Sequence, residues 1–238
     1  MQAIILCGGL GTRLREAIKD VPKPMAPING TPFMQLQLDR LKEAGANKVV
    51  FAVGYKKEII QDYFHDEYKG MKLCYSEEDK PLGTGGALKK ALKLIDEDCA
   101  IVMNGDVYLN INLKAIYNQH IVSKVWETMA VKPMTNFNRY GNAFIDGIKM
   151  IDYREKEQTE KGFVHIGCYV VQKNIFDAFP ELGDSFSHET DYLAKQVKNR
   201  RHNVYIYNGY FVDIGIPKDY FEFIEYFTNN ENRIASSA

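Results

Sequence analysis

The chain has 238 residues, 45 % of them hydrophobic and 26 % charged, and 30 Lys and Arg against 31 Asp and Glu leave a net charge of −1. That balance excludes a disordered chain, which would be poorer in apolar residues and more lopsided in charge. It also excludes the generally basic surface that bulk nucleic acid requires. The length fits one domain of ordinary size, able to bury about 70–75 % of its unfolded surface without a disulfide or metal staple.

The first half alternates between strand and helix. Residues 3–6 are a short apolar run ending in a glycine-rich loop. Residues 33–46 read as a helix, with Phe33, Leu36, Leu38 and Leu41 apolar and Gly45 near its end. A buried strand follows at 48–53, a helix at 58–64 and a strand at 71–76. The helix at 84–94 has Ala87, Leu88, Ala91, Leu92 and Ile95 on one face, and the strand at 100–103 stops at Gly105-Asp106. This alternation predicts βαβ units and a mostly parallel sheet, on which ligands gather at the carboxyl ends of strands. The second half is β-rich. Residues 125–132, 142–145, 149–153 and 163–171 are closely spaced, with Asp146-Gly147 as a turn signal, so antiparallel hairpins are expected. A helix at 190–198, a strand at 204–207 and a closing helix at 218–227 follow. The expected fold class is α/β: a mixed, mostly parallel central sheet flanked by helices, with a small antiparallel β elaboration. A single domain is expected over 1–230, divided into halves 1–110 and 111–230, with a flexible tail at 231–238.

Cys7, Cys74, Cys99 and Cys168 form no CxxC pair and sit in apolar runs. This predicts buried, reduced thiols and a cytoplasmic setting. His65, His120, His188 and His202 show no zinc-site spacing. The opening apolar stretch is too short for a signal peptide, and no window approaches the roughly 18 apolar residues of a membrane span. Neither nucleic acid nor membrane is expected as a partner. The Tyr and Phe residues fall at core spacing or in 220–227, where a core or subunit-contact role leaves room for a homodimer.

The strongest chemical signal is Leu6-Cys7-Gly8-Gly9-Leu10-Gly11-Thr12-Arg13, followed by Pro22-Lys23-Pro24. Glycines after a strand let the backbone turn tightly and approach a ligand, and successive N–H groups form an anion nest. Arg13 adds a planar positive charge and Lys23 a point charge, while the flanking prolines restrict the backbone around Lys23. The pattern suits a polyphosphate. It is not a P-loop, because no GxxxxGK[ST] string occurs. It is not the dinucleotide fingerprint either, because Leu14 stands where a third Gly or Ala belongs.

These residues resemble the signature of sugar-1-phosphate nucleotidyltransferases, and the likeness continues along the chain. Pro81-Leu82-Gly83-Thr84-Gly85-Gly86-Ala87-Leu88 is similar to the family's nucleobase-binding loop and helix, and Asn104-Gly105-Asp106 to its metal-binding motif. Tyr140-Gly141, Glu155-Lys156 and the strand from His165 to Val171 resemble its sugar-phosphate pocket. Val212-Asp213-Ile214-Gly215 resembles its second metal aspartate. Within the family, the chain is most similar to the bacterial D-glycero-D-manno-heptose 1-phosphate guanylyltransferases. It departs from the family pattern at Glu157, where Pro is usual, at His165, where Asn is frequent, and in the residues flanking Asp213. These departures bear on the sugar and leave the phosphate and metal chemistry intact.

The resemblance implies a Rossmann-like nucleotidyltransferase fold. It implies attack of a sugar 1-phosphate oxygen on the α-phosphorus of a nucleoside triphosphate, with GTP as donor and a heptose 1-phosphate as acceptor. Pyrophosphate leaves, and the nucleotide-activated sugar feeds surface polysaccharide or glycoconjugate synthesis. Such in-line displacement needs positioning and charge neutralisation more than a covalent nucleophile. Asp106 and Asp213 would hold Mg²⁺, which takes few carboxylates. Arg13 and Lys23 are the candidate catalytic residues, Arg13 neutralising the leaving pyrophosphate and Lys23 orienting the phosphates. Leu6, Gly8, Gly9, Gly11, Thr12, Gly83 and Asp106 would contact the nucleotide. Glu77 or Glu78 could accept hydrogen bonds from guanine N1–H and N2–H₂, and Glu77 is the one placed in the candidate site. Lys156 would hold the sugar phosphate, Glu155 its hydroxyls, and Gly141 would let a hydroxyl reach the backbone beside Tyr140 and His165. Two alternatives stand: a cytidylyl-, uridylyl- or thymidylyltransferase on another phosphorylated small molecule, and a non-catalytic sensor of nucleotide sugars. The joint presence of Arg13, Lys23, Asp106, Lys156 and Asp213 argues against the sensor.

Overall fold

The computed structural model describes residues 1–9, 14, 18 and 21–235. Strand β1 (Gln2–Leu6) is followed by a 3-10 turn at Lys23–Met25, the short strands β2 (Pro27–Ile28) and β3 (Thr31–Pro32), and α1 (Phe33–Glu43). Next come β4 (Lys48–Val53), α2 (Lys57–Phe64), β5 (Glu67–Tyr68), β6 (Met71–Glu77), α3 (Gly83–Leu92), β7 (Cys99–Asn104), β8 (Val107–Leu109) and α4 (Leu113–Ser123). The second half holds β9 (Glu127–Phe137), β10 (Asn142–Asp146), β11 (Lys149–Arg154) and β12 (Thr159–Gln172). A π-helical turn (His188–Leu193) then runs into α5 (Ala194–Gln196), followed by β13 (His202–Ile206), β14 (Phe211–Asp213) and α6 (Pro217–Ala235).

Ten strands form one sheet in the order β10-β11-β13-β9-β12-β7-β1-β4-β6-β5. Strands β7, β1, β4 and β6 are mutually parallel, so their carboxyl ends emerge at one edge. Ala3, Ile5, Ile101 and Met103 face a cluster completed by Leu38 and Leu41 of α1, Phe64 of α2 and Ile116 of α4. Ile4, Ala100 and Val102 face the opposite cluster, with Leu88 and Ala91 of α3 and Tyr192 of the π-turn. Helices on both faces explain why these strands read as continuous apolar runs.

The antiparallel part is larger than the small elaboration expected. β12 pairs antiparallel with both β7 and β9, and the same sheet continues through it to β10. Residues 164–171 are buried without interruption, so β12 belongs in the sheet interior and not on a peripheral hairpin.

Two helical segments differ from expectation. α4 was hidden because its inward positions are Leu113, Ile116 and His120, so a histidine stands where the helical period calls for an apolar residue. His120 is satisfied by Thr128 Oγ1, 3.0 Å from its Nδ1, and the Asn112 side chain caps the helix by accepting the Ala115 N–H. α6 runs to Ala235, beyond the expected end at 227 and into the stretch expected to be a flexible tail; residues 236–238 lie outside the described ones. Phe223 of α6 meets Phe33 edge-on at 5.7 Å, and the Tyr220 hydroxyl donates to the Pro27 carbonyl at 2.6 Å. The four cysteines are free, with Cys7, Cys99 and Cys168 buried and Cys74 half-buried. Among the described residues no helix is long and apolar enough to cross a membrane.

Candidate active site

The carboxyl ends of β1, β4, β6 and β7 surround a cavity of about 590 Å³. Among the described residues five glycines line it and present bare backbone: Gly8 and Gly9 after β1, Gly54 after β4, Gly83 at the start of α3 and Gly105 after β7. Of the nucleotide positions expected from sequence, Leu6, Gly8, Gly9, Gly83 and Asp106 converge here. Gly11, Thr12 and Arg13 lie outside the described residues. A Cβ on Gly8 would come within 2.4 Å of a Glu78 carboxylate oxygen, so a side chain there would displace Glu78 from its place on the wall. Gly83 has φ +69, and a Cβ there would come within 2.5 Å of the Phe186 carbonyl oxygen. That carbonyl accepts the N–H groups of Gly85 and Gly86 at 3.0 and 3.3 Å. The glycine-rich start of α3 therefore makes room for a passing segment of the second half as well as for the cavity.

The two candidate acids separate. Glu78 lines the cavity, and burial raises its carboxyl above the ordinary value, although the Leu82 N–H at 3.2 Å pulls the other way. Glu77 is not on the wall. Its carboxylate accepts from Lys57 Nζ at 2.6 Å and Gln61 Nε2 at 2.9 Å, both on α2. The expectation placed on Glu77 is thus corrected: side chains alternate at the end of β6, and Glu78 is the one on the cavity side.

At the inner end, Asp106 follows Gly105, whose N–H bonds to the Leu6 carbonyl at 2.9 Å. β14 pairs antiparallel with β8, setting Asp213 opposite Val107, and the Ile214 N–H bonds to the Asp106 carbonyl at 2.9 Å. Lys23 Nζ lies 3.0 Å from the Asp106 carboxylate. Burial, and then the like charge of Asp106, raise the Asp213 carboxyl above its ordinary value; the Gly215 N–H and the charges of Lys23 and Arg139 oppose this. Such a pair is short of positive charge, and hard oxygen donors suit a divalent cation. Among the described residues no group of three or more His, Cys, Asp or Glu forms a closed metal cage. A cation here would complete its shell from substrate oxygens and water.

A second cavity, about 340 Å³, shares Asn104 and Asp106 with the first. Tyr140, Gly141, Lys156, His165 and Asp213 line it, so these sequence-predicted residues come together from β8–β14, the loop before β10, the turn after β11 and the middle of β12. The β9–β12 register shifts between His165 and Tyr169, and the irregularity brings His165, Ile166 and Gly167 to the wall. Glu155 is corrected: the turn that brings Lys156 to the wall leaves Glu155 exposed and off it. Two further charged residues line this cavity. Arg139 is held by Asp219 at 2.9 Å, and its one sequence signal is adjacency to Tyr140-Gly141. Glu189 lies 3.0 Å from His165 and has no motif of its own. Its place follows from the packing of 184–188 on α3, which no local spacing encodes.

A sheet whose carboxyl edge opens into a glycine-lined cavity, joined at Asn104 and Asp106 to a charged one, defines a nucleotide-using transferase. The nucleotidyl transferase family model matches residues 2–230, and the chain belongs to that family. It is 44 % identical over 225 residues to D-glycero-alpha-D-manno-heptose 1-phosphate guanylyltransferase of Campylobacter jejuni, covering 94 % of this chain and 99 % of the relative. A protein of the same name from Aneurinibacillus thermoaerophilus is 40 % identical over 220 residues, covering 92 % and 95 %. HddC from Yersinia pseudotuberculosis, solved in complex with GMP-PN, superposes with a TM-score of 0.81 at 33 % identity over 95 % of this chain and 99 % of that one. The family resemblance read from the motifs and the nucleotidyltransferase fold are both borne out.

Proposed function

We propose that the chain transfers GMP from GTP to D-glycero-α-D-manno-heptose 1-phosphate and releases pyrophosphate. The observation that carries this reading is the junction of the two cavities at Asp106. There the α-phosphorus of a nucleotide in the first can face a phosphate oxygen of a sugar in the second. The near full-length likeness to two relatives of that name supports the choice of GTP and heptose.

In this reading Leu6, Gly8, Gly9 and Gly83 border the nucleoside, and Glu78 accepts hydrogen bonds from guanine N1–H and N2–H₂. Adenine lacks that donor pair and would leave the acceptor unmatched, at about 1–3 kcal/mol. Lys23 orients the phosphates, and Arg13 neutralises the departing pyrophosphate together with the Gly11-Thr12 backbone. Lys156 holds the incoming phosphate, while Tyr140, Gly141 and His165 border the sugar. Asp106 and Asp213 would hold Mg²⁺, which would supply charge neutralisation to the phosphoryl oxygens. The two halves of residues 1–230 act as one unit, and the free cysteines suit a reducing cytoplasm. The test is pyrophosphate release with Mg²⁺, the four ribonucleoside triphosphates and dTTP, and a panel of sugar 1-phosphates. Turnover highest with GTP and the heptose 1-phosphate is expected; a clear preference for another nucleotide would overturn the guanylyl assignment.

A further inference from the structure

Glu189 has no role in the reaction as described above, yet it stands on the wall of the second cavity beside His165. His165 is 7 % exposed. Its Nδ1 lies 3.0 Å from Glu189 Oε1, and its Nε2 is buried with no hydrogen-bond partner among the described residues. An ionised carboxylate only accepts, so the proton between the two sits on Nδ1, and in the neutral ring Nε2 is left as an acceptor. An unmatched polar atom of this kind is costly unless a ligand completes it. Beside it, Glu189 keeps 33 % of its side chain open. Burial alone would raise the Glu189 carboxyl, but His165 and then His188 more than offset this and bring it down to about 2.

The backbone that presents Glu189 is braced. The Phe186 N–H bonds to the Leu82 carbonyl at 2.9 Å, and the His188 N–H bonds to Thr84 Oγ1 at 3.0 Å. Ser187 and Asp191 close a reciprocal cap, Ser187 Oγ accepting the Thr190 N–H at 3.2 Å and Asp191 Oδ2 accepting the Ser187 N–H at 2.7 Å. Glu189 itself lies in the π-helical turn, a geometry that recurs at functional positions. The braced carboxylate repels phosphate and receives hydroxyl donors. The same cavity carries Lys156, whose positive charge suits the phosphate. The wall thus sorts the two ends of a sugar phosphate.

We infer that Glu189, paired with His165, is the specificity-determining residue of the sugar cavity, accepting hydrogen bonds from adjacent hydroxyls of the sugar ring. This rests on the guanylyltransfer reading. The test compares wild type with Glu189→Gln, using GTP, Mg²⁺, the preferred sugar 1-phosphate and its monodeoxy analogues. The variant should lose about 10- to 100-fold in kcat/KM, mostly through the sugar KM, as expected for a charge-assisted hydrogen bond, with the KM for GTP within about 2-fold. One deoxy analogue, penalised about 10- to 100-fold in wild type, should be penalised less than about 3-fold in the variant. Active wild type with the same deoxy penalties in both proteins overturns this inference alone. Wild type that transfers GMP to no sugar 1-phosphate overturns the parent reading and this inference with it. Should the variant not fold, a crystal structure of wild type with the nucleotide-sugar product decides: a ring hydroxyl within about 3.2 Å of the Glu189 carboxylate sustains the inference, and a carboxylate bonded to His165 alone contradicts it.

Discussion

The two cavities that meet at Asp106 are built from different materials. The first is lined by five glycines that stand just after parallel strands or at the start of α3. The second takes side chains from the loop before β10, the turn after β11, the break in β12 and the π-turn. A glycine-lined cavity is written in short contiguous motifs at the strand ends, because glycines and prolines act where they stand in the chain. A side-chain cavity is written in scattered single residues whose convergence depends on tertiary packing. In the proposed reading the first takes the part that many related enzymes share, the nucleoside triphosphate, and the second the part that can be varied, the sugar.

Four substitution experiments sharpen or break that contrast. The largest effect is expected at the junction, which belongs to both cavities. Asp106→Asn and Asp213→Asn should each lower kcat by about 10²-fold or more with the fold retained, because the charge that stabilises the transition state is lost. Steady-state rates across a Mg²⁺ titration, with circular dichroism as the folding control, check this.

Next comes Lys156→Ala, confined to the second cavity. Loss of a charge-assisted hydrogen bond to phosphate should raise the sugar-phosphate KM about 10- to 100-fold and leave the KM for GTP near the wild-type value. Parallel titrations of the two substrates read this out.

A smaller and more selective effect is expected at the edge of the first cavity. Glu78→Gln should narrow the discrimination between GTP and ATP by about 1–3 kcal/mol. Glu77→Gln, whose partners are Lys57 and Gln61, should leave that ratio unchanged within about 2-fold. Nucleotide competition assays separate the two acids.

The smallest effect on catalysis is expected behind the second cavity. Glu127 is fully buried between His188 Nε2 and His202 Nδ1, each at 3.4 Å. Burial alone would raise its carboxyl, but the two histidines hold it below the ordinary value of 4.5. Burial alone would lower the His188 pKa, but Glu127 holds it above the ordinary 6.5. The glutamate's contribution to stability is present above 4.5 and lost as pH falls through the lowered pKa. The histidine's contribution is present below 6.5 and lost as pH rises through the raised one. Glu127→Gln should therefore lower stability most, by about 2–4 kcal/mol, between these two values. Urea midpoints of both proteins against pH test it.

The same contrast explains what was legible in the sequence. The parallel strands, α1 to α3, the phosphate loop and both aspartates stood in contiguous motifs with apolar flanks. α4 escaped because His120 occupies a core position, and the extent of the antiparallel sheet escaped because β12 reads as one strand of a hairpin until its burial on both faces is seen. Glu77 and Glu78 could not be told apart without knowing which face of β6 meets α2. Glu155 carried a motif yet sits off the wall, while Glu189 carried none and stands on it.

The central claim is the division of labour between the two cavities, and the double variant Glu78→Gln/Lys156→Ala tests it most directly. Independent sites add, so the account predicts a nucleotide preference equal to that of Glu78→Gln alone and a sugar-phosphate KM equal to that of Lys156→Ala alone. A Lys156→Ala protein with altered nucleotide preference, or a Glu78→Gln protein with a raised sugar-phosphate KM, would contradict it.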